Sequence, residues 1–281
     1  QKLLQESPGL RTDFTGYKKL EEQTQILTIL RHVKTDSGVR IETGPKTELG
    51  PGDEGEVILL RTPFYPEGGG QVGDKGRLLD DVLEGKVLAD VHDCQKPLPQ
   101  LIVHRLTARR TLRVGMRVKA SVDPESRRTT AYHHTATHLL NEALKRVLGP
   151  NVRQAGSLVA PDRLRYDFTH AKGMSKDELA QVEAIVNGAI KADYPVHPME
   201  RPADDVKAFG ATVLLGEKYG DKPRFLLIGK SGWSDPSDRF SLELCGGTHV
   251  SRTGEIQTFK ILKETSVAAG IRRIEAVAGP A

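Results

Sequence analysis

Two short segments of the sequence carry side chains that bind transition metals. The first contains His134 and His138, and the second contains Cys245 and His249. In each segment the two donors are four positions apart, and together they make the four nitrogen and sulfur ligands of a tetrahedral zinc ion. A lone histidine pair on a helix is more often packed or solvated than metal-bound, but the added C-x-x-x-H pair favours a metal. The sequence therefore predicts one Zn²⁺ site built from two distant segments.

The first histidine pair is predicted to lie on a helix. Asp123 followed by Pro124 is typical of a helix N-cap, and Gly149 is typical of a helix end. Positions four apart share one face of a helix, so both imidazoles can face one ion. The second pair encloses Gly246 and Gly247, which allow the chain to turn tightly enough to aim a thiolate and an imidazole at one point.

The number of ligands leaves two roles open for the ion. Four protein ligands describe a closed structural site, whereas a catalytic zinc usually keeps one position for water or substrate. Catalysis would therefore require a loose ligand or an expanded coordination. His133 points about 100° around the helix from His134, so it is expected outside the ligand set.

Composition restricts the setting of this site. The chain has 281 residues, 37% of them hydrophobic and 28% charged, with a net charge of +4. Two cysteines do not suggest a disulfide framework, which favours a reducing compartment and predicts a cytoplasmic protein without a membrane segment. The basic charge permits a polyanionic partner. Residue 1 is Gln rather than Met, which is consistent with an excised piece of a larger protein or with a processed product.

Periodicity predicts an α+β fold with two domains. Residues 1–11 are expected to be a connector, residues 12–122 a small β-barrel, and residues 123–281 an α+β domain with helices packed on an antiparallel sheet. A second helix is predicted to begin with a capping box of Ser175 and Glu178 and to end at Tyr194 and Pro195. Strands are predicted at residues 25–33, 56–60, 86–91, 101–105, 117–122, 224–228, 256–262 and 273–277.

Five segments carry a resemblance to a known family. They are FYPEGGGQVGD at 64–74, HTATHLL at 134–140, QAGSLV at 154–159, LLGEKYG at 214–220 and LCGGTHV at 244–250. In content and order they resemble the editing region of alanyl-tRNA synthetases, and the resemblance extends over about residues 13–279. Freestanding AlaX editing proteins share much of this pattern and are the close alternative. Gly68 departs from the serine that the family pattern leads one to expect.

The resemblance implies a function and partners. It implies a zinc-dependent aminoacyl-tRNA deacylase that hydrolyses seryl-tRNA(Ala) and glycyl-tRNA(Ala), acting on the acceptor end of the tRNA. It also implies that the remaining domains of a parent synthetase, including the ATP-binding aminoacylation domain, act in cis and are absent from this chain.

Hydrolysis of such an ester requires a positioned water, a stabilised oxyanion and recognition of the amino-acid side chain. Zinc can polarise the ester, activate water or position the ribose, with Cys245 among its ligands. Gln154 is the candidate that orients the carbonyl and water; without the resemblance it would be a surface glutamine. Thr135 or Thr137 is predicted to read the serine hydroxyl, although either hydroxyl could instead bond a backbone carbonyl.

The predicted contacts to tRNA rest on weaker patterns. Glycines at a barrel turn and scattered cations are usually turn and surface features. Residues 230–241 form a longer polar insertion than expected, in which Trp233 is either a loop anchor or a base-stacking platform. The candidates for tRNA contact are Gly69, Gly70, Gln71, Lys218, Arg272 and Arg273.

Two other functions can be weighed against deacylation. A zinc protease of the H-E-x-x-H type requires glutamate after the first ligand, and Thr135 stands there instead. A non-catalytic tRNA- or RNA-binding module with a structural zinc is the stronger rival, because four protein ligands and a basic charge suit it equally.

Overall fold

The computed structural model describes residues 9–36, 38–83, 85–213 and 220–280. The chain divides into two compact units, Gln1–Gly68 with Val72–Arg127, and Gly69–Gln71 with Arg128–Ala281. The domain boundaries expected from the sequence, at 11/12 and 122/123, stay a prediction, and residues 1–8 of the expected connector lie outside the described residues. No helix among the described residues is long and apolar enough to cross a membrane.

The first unit is a closed antiparallel barrel. Six strands form the ring in the order β2, β5, β9, β8, β7 and β11, and β11 pairs again with β2 to close it. The barrel confirms the β-rich first half of the predicted fold. The strands of this unit are β1 Asp13–Phe14, β2 Glu21–Thr35, β3 Gly38–Thr43, β4 Glu48–Leu49, β5 Glu54–Leu59, β6 Arg61–Thr62, β7 Gly76–Asp80, β8 Val87–Leu98, β9 Leu101–Ala108, β10 Leu112–Arg113 and β11 Arg117–Val122.

Alternation of side chains builds the barrel core. Val118, Ala120 and Val122 point inward from β11, while the intervening side chains are less buried. This period of two is the signature of a strand with one buried face, and it predicted β11 to the residue. Strands β3 and β7 were not predicted, because their sequences GVRIET and GRLLD are short, contain charges and lack a clean alternation.

His104 is a buried titratable group of the barrel. Its Nδ1 lies 3.1 Å from the carbonyl oxygen of Val57, and its Nε2 lies 2.7 Å from the hydroxyl of Thr62. A carbonyl only accepts, so Nδ1 carries the proton and Nε2 accepts from the hydroxyl. Burial disfavours the imidazolium and lowers the pKa of His104 to about 4.

This shift predicts a barrel that loses stability in mild acid. In the unfolded chain His104 binds a proton near pH 6.5, whereas in the folded barrel it does so only near pH 4. The contribution of His104 to stability is therefore fully present above about pH 6.5 and is lost as the pH falls toward 4. Between pH 7 and pH 5 we expect a loss of about 2 kcal/mol from this residue. Urea unfolding followed by circular dichroism should show that this pH dependence disappears in His104→Gln and persists in His92→Gln. Equal pH dependence in both variants would show that His104 is not the source of the loss of stability in acid.

The second unit is built from helices on antiparallel sheets, as predicted. One sheet has the strand order β12, β13, β18, β17, and the other has the order β14, β15, β16. Its elements are α1 Pro124–Leu148, β12 Gln154–Val159, β13 Leu164–Thr169, α2 Lys176–Lys191, β14 Val196–Glu200, α3 Asp205–Phe209, β15 Arg224–Ile228, β16 Ser241–Leu244, β17 Phe259–Ala268 and β18 Ile271–Ala278.

Local sequence signals determine where these helices begin. Helix α1 starts at Pro124, where the backbone N–H of Ser126 donates to the Asp123 carboxylate at 2.9 Å. Helix α2 starts after Ser175, which forms the predicted capping box with Glu178. Leu139, Leu140 and Leu144 of α1 are fully buried with Val182 and Val186 of α2 in one hydrophobic core.

Several predicted boundaries were wrong, and the physical reason is clearest at the start of one strand. The strand expected at 256–262 begins only at Phe259, because Gln257 adopts a φ of 65° after a short 3₁₀ turn at Thr253–Ile256. A strand cannot continue through that conformation. Helix α2 ends at Lys191 rather than at Tyr194.

The polar insertion before the cysteine segment is held by its tryptophan. The ring of Trp233 packs edge-on against Phe209 and Phe225, with centroid distances of 6.1 and 6.0 Å. Its Nε1 donates to the carbonyl oxygen of His197 at 3.3 Å, and the guanidinium of Arg201 lies 4.8 Å above the ring. Trp233 therefore acts as a loop anchor in this structure.

Candidate metal centre

The structure brings together the four side chains of the two segments. One ligand atom from each of His134, His138, Cys245 and His249 lies within 4.8 Å of the others. The sulfur of Cys245 is 3.3 Å from Nε2 of His134 and 3.3 Å from Nε2 of His249. The two helical imidazoles stack one turn apart, with 5.4 Å between ring centroids. These distances leave the donors converging on one point.

Gln71 holds the ring of His134 from outside the cluster. Its Oε1 lies 2.7 Å from Nδ1 of His134 and also accepts from the backbone N–H of Thr248 at 2.9 Å. Its Nε2 donates to the hydroxyl of Thr248 at 2.9 Å. The carbonyl thus accepts the Nδ1 proton, and Nε2 of His134 is left as the ligand atom.

The segment carrying Gln71 reaches the cluster through backbone contacts. The carbonyl oxygen of Gly70 accepts from the N–H of Val159 at 2.8 Å, and Gln71 forms an isolated parallel bridge with Val159. Gly70 has a φ of 83°, and a Cβ there would overlap the side chain of Ser157. The glycine therefore permits a close approach to β12 in a conformation that other residues rarely adopt.

Glu243 is the outer partner of His138. The carboxylate lies 3.0 Å from Nδ1 of His138, and both side chains are 7% exposed. Asn141 donates to the second oxygen of Glu243 at 2.9 Å, and the hydroxyl of Tyr166 donates to Asn141 at 2.7 Å. All four groups are buried.

Thr135 lies beside the third imidazole. Its hydroxyl oxygen is 3.4 Å from Nδ1 of His249 and accepts from the backbone N–H of Val250 at 3.2 Å. The hydroxyl of Thr137 instead donates to the carbonyl oxygen of His133, one turn earlier, at 2.8 Å. Of the two threonines proposed to read serine, Thr135 touches a metal-ligand candidate and Thr137 bonds the helix backbone.

A glycine and an arginine shape the cysteine loop. A Cβ on Gly247 would overlap the imidazole of His134 and lie 2.9 Å from Oε1 of Gln71. The guanidinium of Arg224, at the start of β15, donates to the carbonyl oxygens of Cys245 and Gly247 at 2.9 and 3.0 Å. The loop is therefore held tightly against the helix that carries the histidines.

The protonation states of the cluster suit metal binding. Burial raises the pKa of Cys245, but the adjacent imidazoles outweigh it and hold the pKa well below its ordinary value. Burial lowers the pKa of His249 to about 3. For His138, burial is outweighed by Glu243 and Cys245, which raise its pKa to about 10. A thiolate and a neutral imidazole are ligand forms, and a metal displaces the extra proton of His138 on binding.

The donor set itself provides a test of fit. Both ring nitrogens of His138 are buried, and neither has a hydrogen-bond partner among the described residues. A buried polar atom without a partner is costly, and a metal ion at this point would satisfy it. One soft sulfur and three imidazole nitrogens match the ligand preferences of zinc and match poorly those of magnesium and calcium, which prefer oxygen.

Gln154 is not one of the donors of the cluster. It is half-buried at the start of β12, where its Nε2 donates to the hydroxyl of Ser157 at 3.1 Å. Its role as an orienter of substrate stays a prediction.

The residues expected at tRNA differ in their surroundings. Gly69 is exposed, whereas the side chain of Gln71 is fully buried against the cluster rather than open to a partner. Arg272 and Arg273 are each clamped through two nitrogens, by Glu264 at 2.5 and 2.8 Å and by Asp167 at 2.7 and 2.8 Å respectively. Lys218 lies outside the described residues.

Sequence reasoning missed Glu243 and Asn141, although two signals pointed to them. Glu243 stands two positions before Cys245, and alternate residues of a strand share a face. Asn141 stands three positions after His138 and shares its face of α1. Nothing local marked the side-chain role of Gln71, which is 63 positions from its partner His134.

Comparison with known proteins identifies the family. The family described as threonyl and alanyl tRNA synthetase second additional domain matches residues 224–275, and tRNA synthetases class II (A) match residues 2–126. The alanine–tRNA ligase of Carboxydothermus hydrogenoformans is 46% identical over 279 residues, which is 99% of this chain and 29% of the relative. The chain corresponds to a region of alanyl-tRNA synthetases. The resemblance drawn from the sequence segments is thereby confirmed.

Other relatives show the same partial coverage. The alanine–tRNA ligases of Acidithiobacillus ferridurans and Thermus thermophilus are 45% and 46% identical over 95% of this chain, which corresponds to 28% of each relative. The chain thus spans less than a third of the length of these ligases. Cys245 and His249 fall inside the matched second additional domain, whereas His134 and His138 lie outside both matched ranges.

Proposed function

We propose that this chain is the editing part of an alanyl-tRNA synthetase and hydrolyses seryl-tRNA(Ala) and glycyl-tRNA(Ala) with the help of zinc. The observation that carries the proposal is the convergence of three imidazoles and one thiolate within 4.8 Å in a chain of this family. The acceptor end of tRNA(Ala) would be its partner, and the ATP-binding and other domains of a parent synthetase would act with it in cis, in the cytoplasm.

The four donors would hold the zinc ion. When bound, zinc supplies a Lewis acid that can polarise the ester or activate water. The chain's own residues would then orient the ligands, because Gln71 accepts from Nδ1 of His134 and the carboxylate of Glu243 lies 3.0 Å from Nδ1 of His138, which leaves both Nε2 atoms to the centre. The loop at Gly247 packs against the ring of His134, where a Cβ would have no room.

Thr137 is the better of the two proposed readers of serine. Its one proton is donated to the carbonyl of His133, so its oxygen keeps lone pairs that can accept from a serine hydroxyl. Its residue is 5% exposed, whereas Thr135 is fully buried and already accepts from Val250. Alanine lacks the hydroxyl and would leave such an acceptor unmatched, while glycine is small enough to enter.

The remaining proposed contacts are to the ester, the attacking water and the tRNA. They involve Gln154, Gly69, Gly70 and the basic residues. Gln154 keeps a free amide proton and its carbonyl oxygen for an ester and a water, beside its bond to Ser157. The exposed Gly69 and its neighbour Gly70 are proposed to approach the acceptor end. Arg272 and Arg273 are weaker candidates for phosphate contacts, because their carboxylate partners already balance part of the positive charge.

An ester-hydrolysis assay tests the proposal directly. The purified chain is incubated with seryl-tRNA(Ala), glycyl-tRNA(Ala) and alanyl-tRNA(Ala), with and without a strong zinc chelator. Loss of the serine and glycine esters that the chelator suppresses is expected. Binding of tRNA without hydrolysis would instead favour the RNA-binding module with a structural zinc, which the four protein ligands also suit.

Replacing Thr137 by valine should reduce serine selectivity. The valine keeps the shape of the side chain but removes the acceptor, so hydrolysis of the serine ester should fall by about 10–100-fold relative to the glycine ester. The ratio of the two rates is the measurement, with circular dichroism as the check on folding. An unchanged serine-to-glycine ratio would remove Thr137 from the recognition of serine.

A further inference from the structure

Glu243 is a buried acid whose contacts point toward the metal centre. Its Oε2 lies 3.0 Å from Nδ1 of His138, a hydrogen-bond distance, although the angle at the ring is poor in this structure. An ionised carboxylate is costly to bury unless charge and hydrogen bonds compensate for lost hydration. The groups around Glu243 show which compensation it receives.

A directed chain of hydrogen bonds holds the carboxylate on the side away from His138. The hydroxyl of Tyr166 donates to Oδ1 of Asn141 at 2.7 Å, and Nδ2 of Asn141 donates to Oε1 of Glu243 at 2.9 Å. Because the tyrosine hydroxyl donates its one proton, it determines which end of the Asn141 amide faces it. The amide nitrogen is therefore turned to Glu243, whose oxygen must accept.

This direction continues into the imidazole. With Glu243 as an acceptor, the matching form of His138 carries its proton on Nδ1. Nε2 then presents its lone pair, and this atom is buried without a hydrogen-bond partner among the described residues. With Glu243 ionised and therefore able only to accept, this arrangement favours the form of His138 that can ligate.

Charge balance gives an independent reason for a carboxylate at this position. A divalent ion bound by one thiolate and three neutral imidazoles keeps a net positive charge. Gln71 and Thr135, which contact the other two imidazoles, are neutral, so Glu243 is the charged group among these three outer partners. In a buried site, an opposite charge at close range contributes strongly because screening by water is weak.

We propose that Glu243 is a positioning residue of the metal centre, which holds the Nδ1–H form of His138 and balances the charge of the bound ion. Asn141 and Tyr166 keep its carboxylate in place. The inference rests on the proposed metal centre but not on the proposed deacylase activity.

The variant Glu243→Gln tests the charge and the acceptor together. It keeps the size of the side chain, and zinc affinity, measured by competition with a chromophoric chelator, should fall by about 10–100-fold. Glu264→Gln is the matched control for zinc affinity, because Glu264 is also 7% exposed in its side chain but pairs with Arg272. The control should bind zinc as the unchanged chain does. Equal zinc affinity in Glu243→Gln and the unchanged chain would overturn the proposal.

Two further measurements separate positioning from folding. In the unchanged chain loaded with zinc, nitrogen NMR of the histidines should show His138 protonated at Nδ1 and bound through Nε2. The chain loaded with cobalt should show altered visible bands in Glu243→Gln, since the ligand field of His138 changes. If the NMR spectrum of the unchanged chain showed His138 without a proton on Nδ1, or bound to zinc through Nδ1, the proposal would be overturned. This outcome does not depend on whether the variant folds.

Failure of this inference is distinguishable from failure of the proposed function. A chain that binds zinc with the Glu243 dependence but leaves seryl-tRNA(Ala) intact would contradict deacylation alone. A chain that deacylates, yet whose zinc affinity and His138 form do not depend on Glu243, would contradict the positioning role alone.

Discussion

Under the proposed function, replacing Gly247 by alanine should strongly weaken zinc binding and, with it, hydrolysis of seryl-tRNA(Ala). The added Cβ would overlap the imidazole of His134 and crowd Oε1 of Gln71 at 2.9 Å. Contacts this short force the loop or the ring to move, and Arg224 holds the loop through two carbonyl oxygens. Metal sites tolerate only about 0.2 Å of error in ligand distances, so we expect zinc affinity to fall by more than about 100-fold.

The control for Gly247→Ala is the same substitution at a site with room. Gly188 lies within α2, and a Cβ there would meet nothing within 4 Å. Gly188→Ala should leave zinc affinity unchanged and stabilise the helix by about 0.5–1 kcal/mol. Zinc competition and thermal unfolding of both variants provide the comparison. Normal zinc binding by Gly247→Ala would show that His134 is not confined by this loop.

Replacing Arg127 by methionine should strongly destabilise the first unit. Its Nε donates to both oxygens of Asp74 at 3.1 and 3.0 Å, and its two terminal nitrogens donate to the carbonyl oxygens of Gly16 and Pro63 at 2.7 Å each. Asp74 is 5% exposed and also accepts from the backbone N–H of Tyr65 at 2.7 Å. Methionine would leave that carboxylate buried without its cation, which typically costs about 3–5 kcal/mol.

An exposed pair in the same unit, on the two-stranded sheet of β4 and β10, gives the matched control. Arg113 lies 3.0 Å from Glu48, and their side chains are 67% and 53% exposed. Arg113→Met should cost less than about 1 kcal/mol, because water screens and replaces the lost contact. Urea unfolding followed by circular dichroism measures both. A double variant, Arg127→Met with Asp74→Asn, should be less destabilised than the sum of its parts, and simple additivity would argue against an unpaired buried charge.

The sequence by itself determined the local parts of this protein. The capping signals at Asp123 and Ser175 and the alternation in β11 depend on neighbours a few residues away, so they can be read without a fold. The spacing of His134 and His138 likewise places both rings on one face of a helix, whatever surrounds it. Chemical identity also made the cysteine segment a ligand candidate before its position was known.

Only the tertiary structure decided what surrounds those candidate ligands. Gln71 meets His134 across 63 positions, and Glu243 meets Asn141 across 102, through contacts that no local period encodes. Gln71 therefore looked like a turn residue near tRNA, whereas folding buries its amide against the cluster. Local backbone preferences determine which elements form. A site is also shaped by the direction of its hydrogen bonds, by its charge balance and by crowding around it. These arise only when distant elements pack together, because each depends on atoms that the fold brings within a few ångströms of one another.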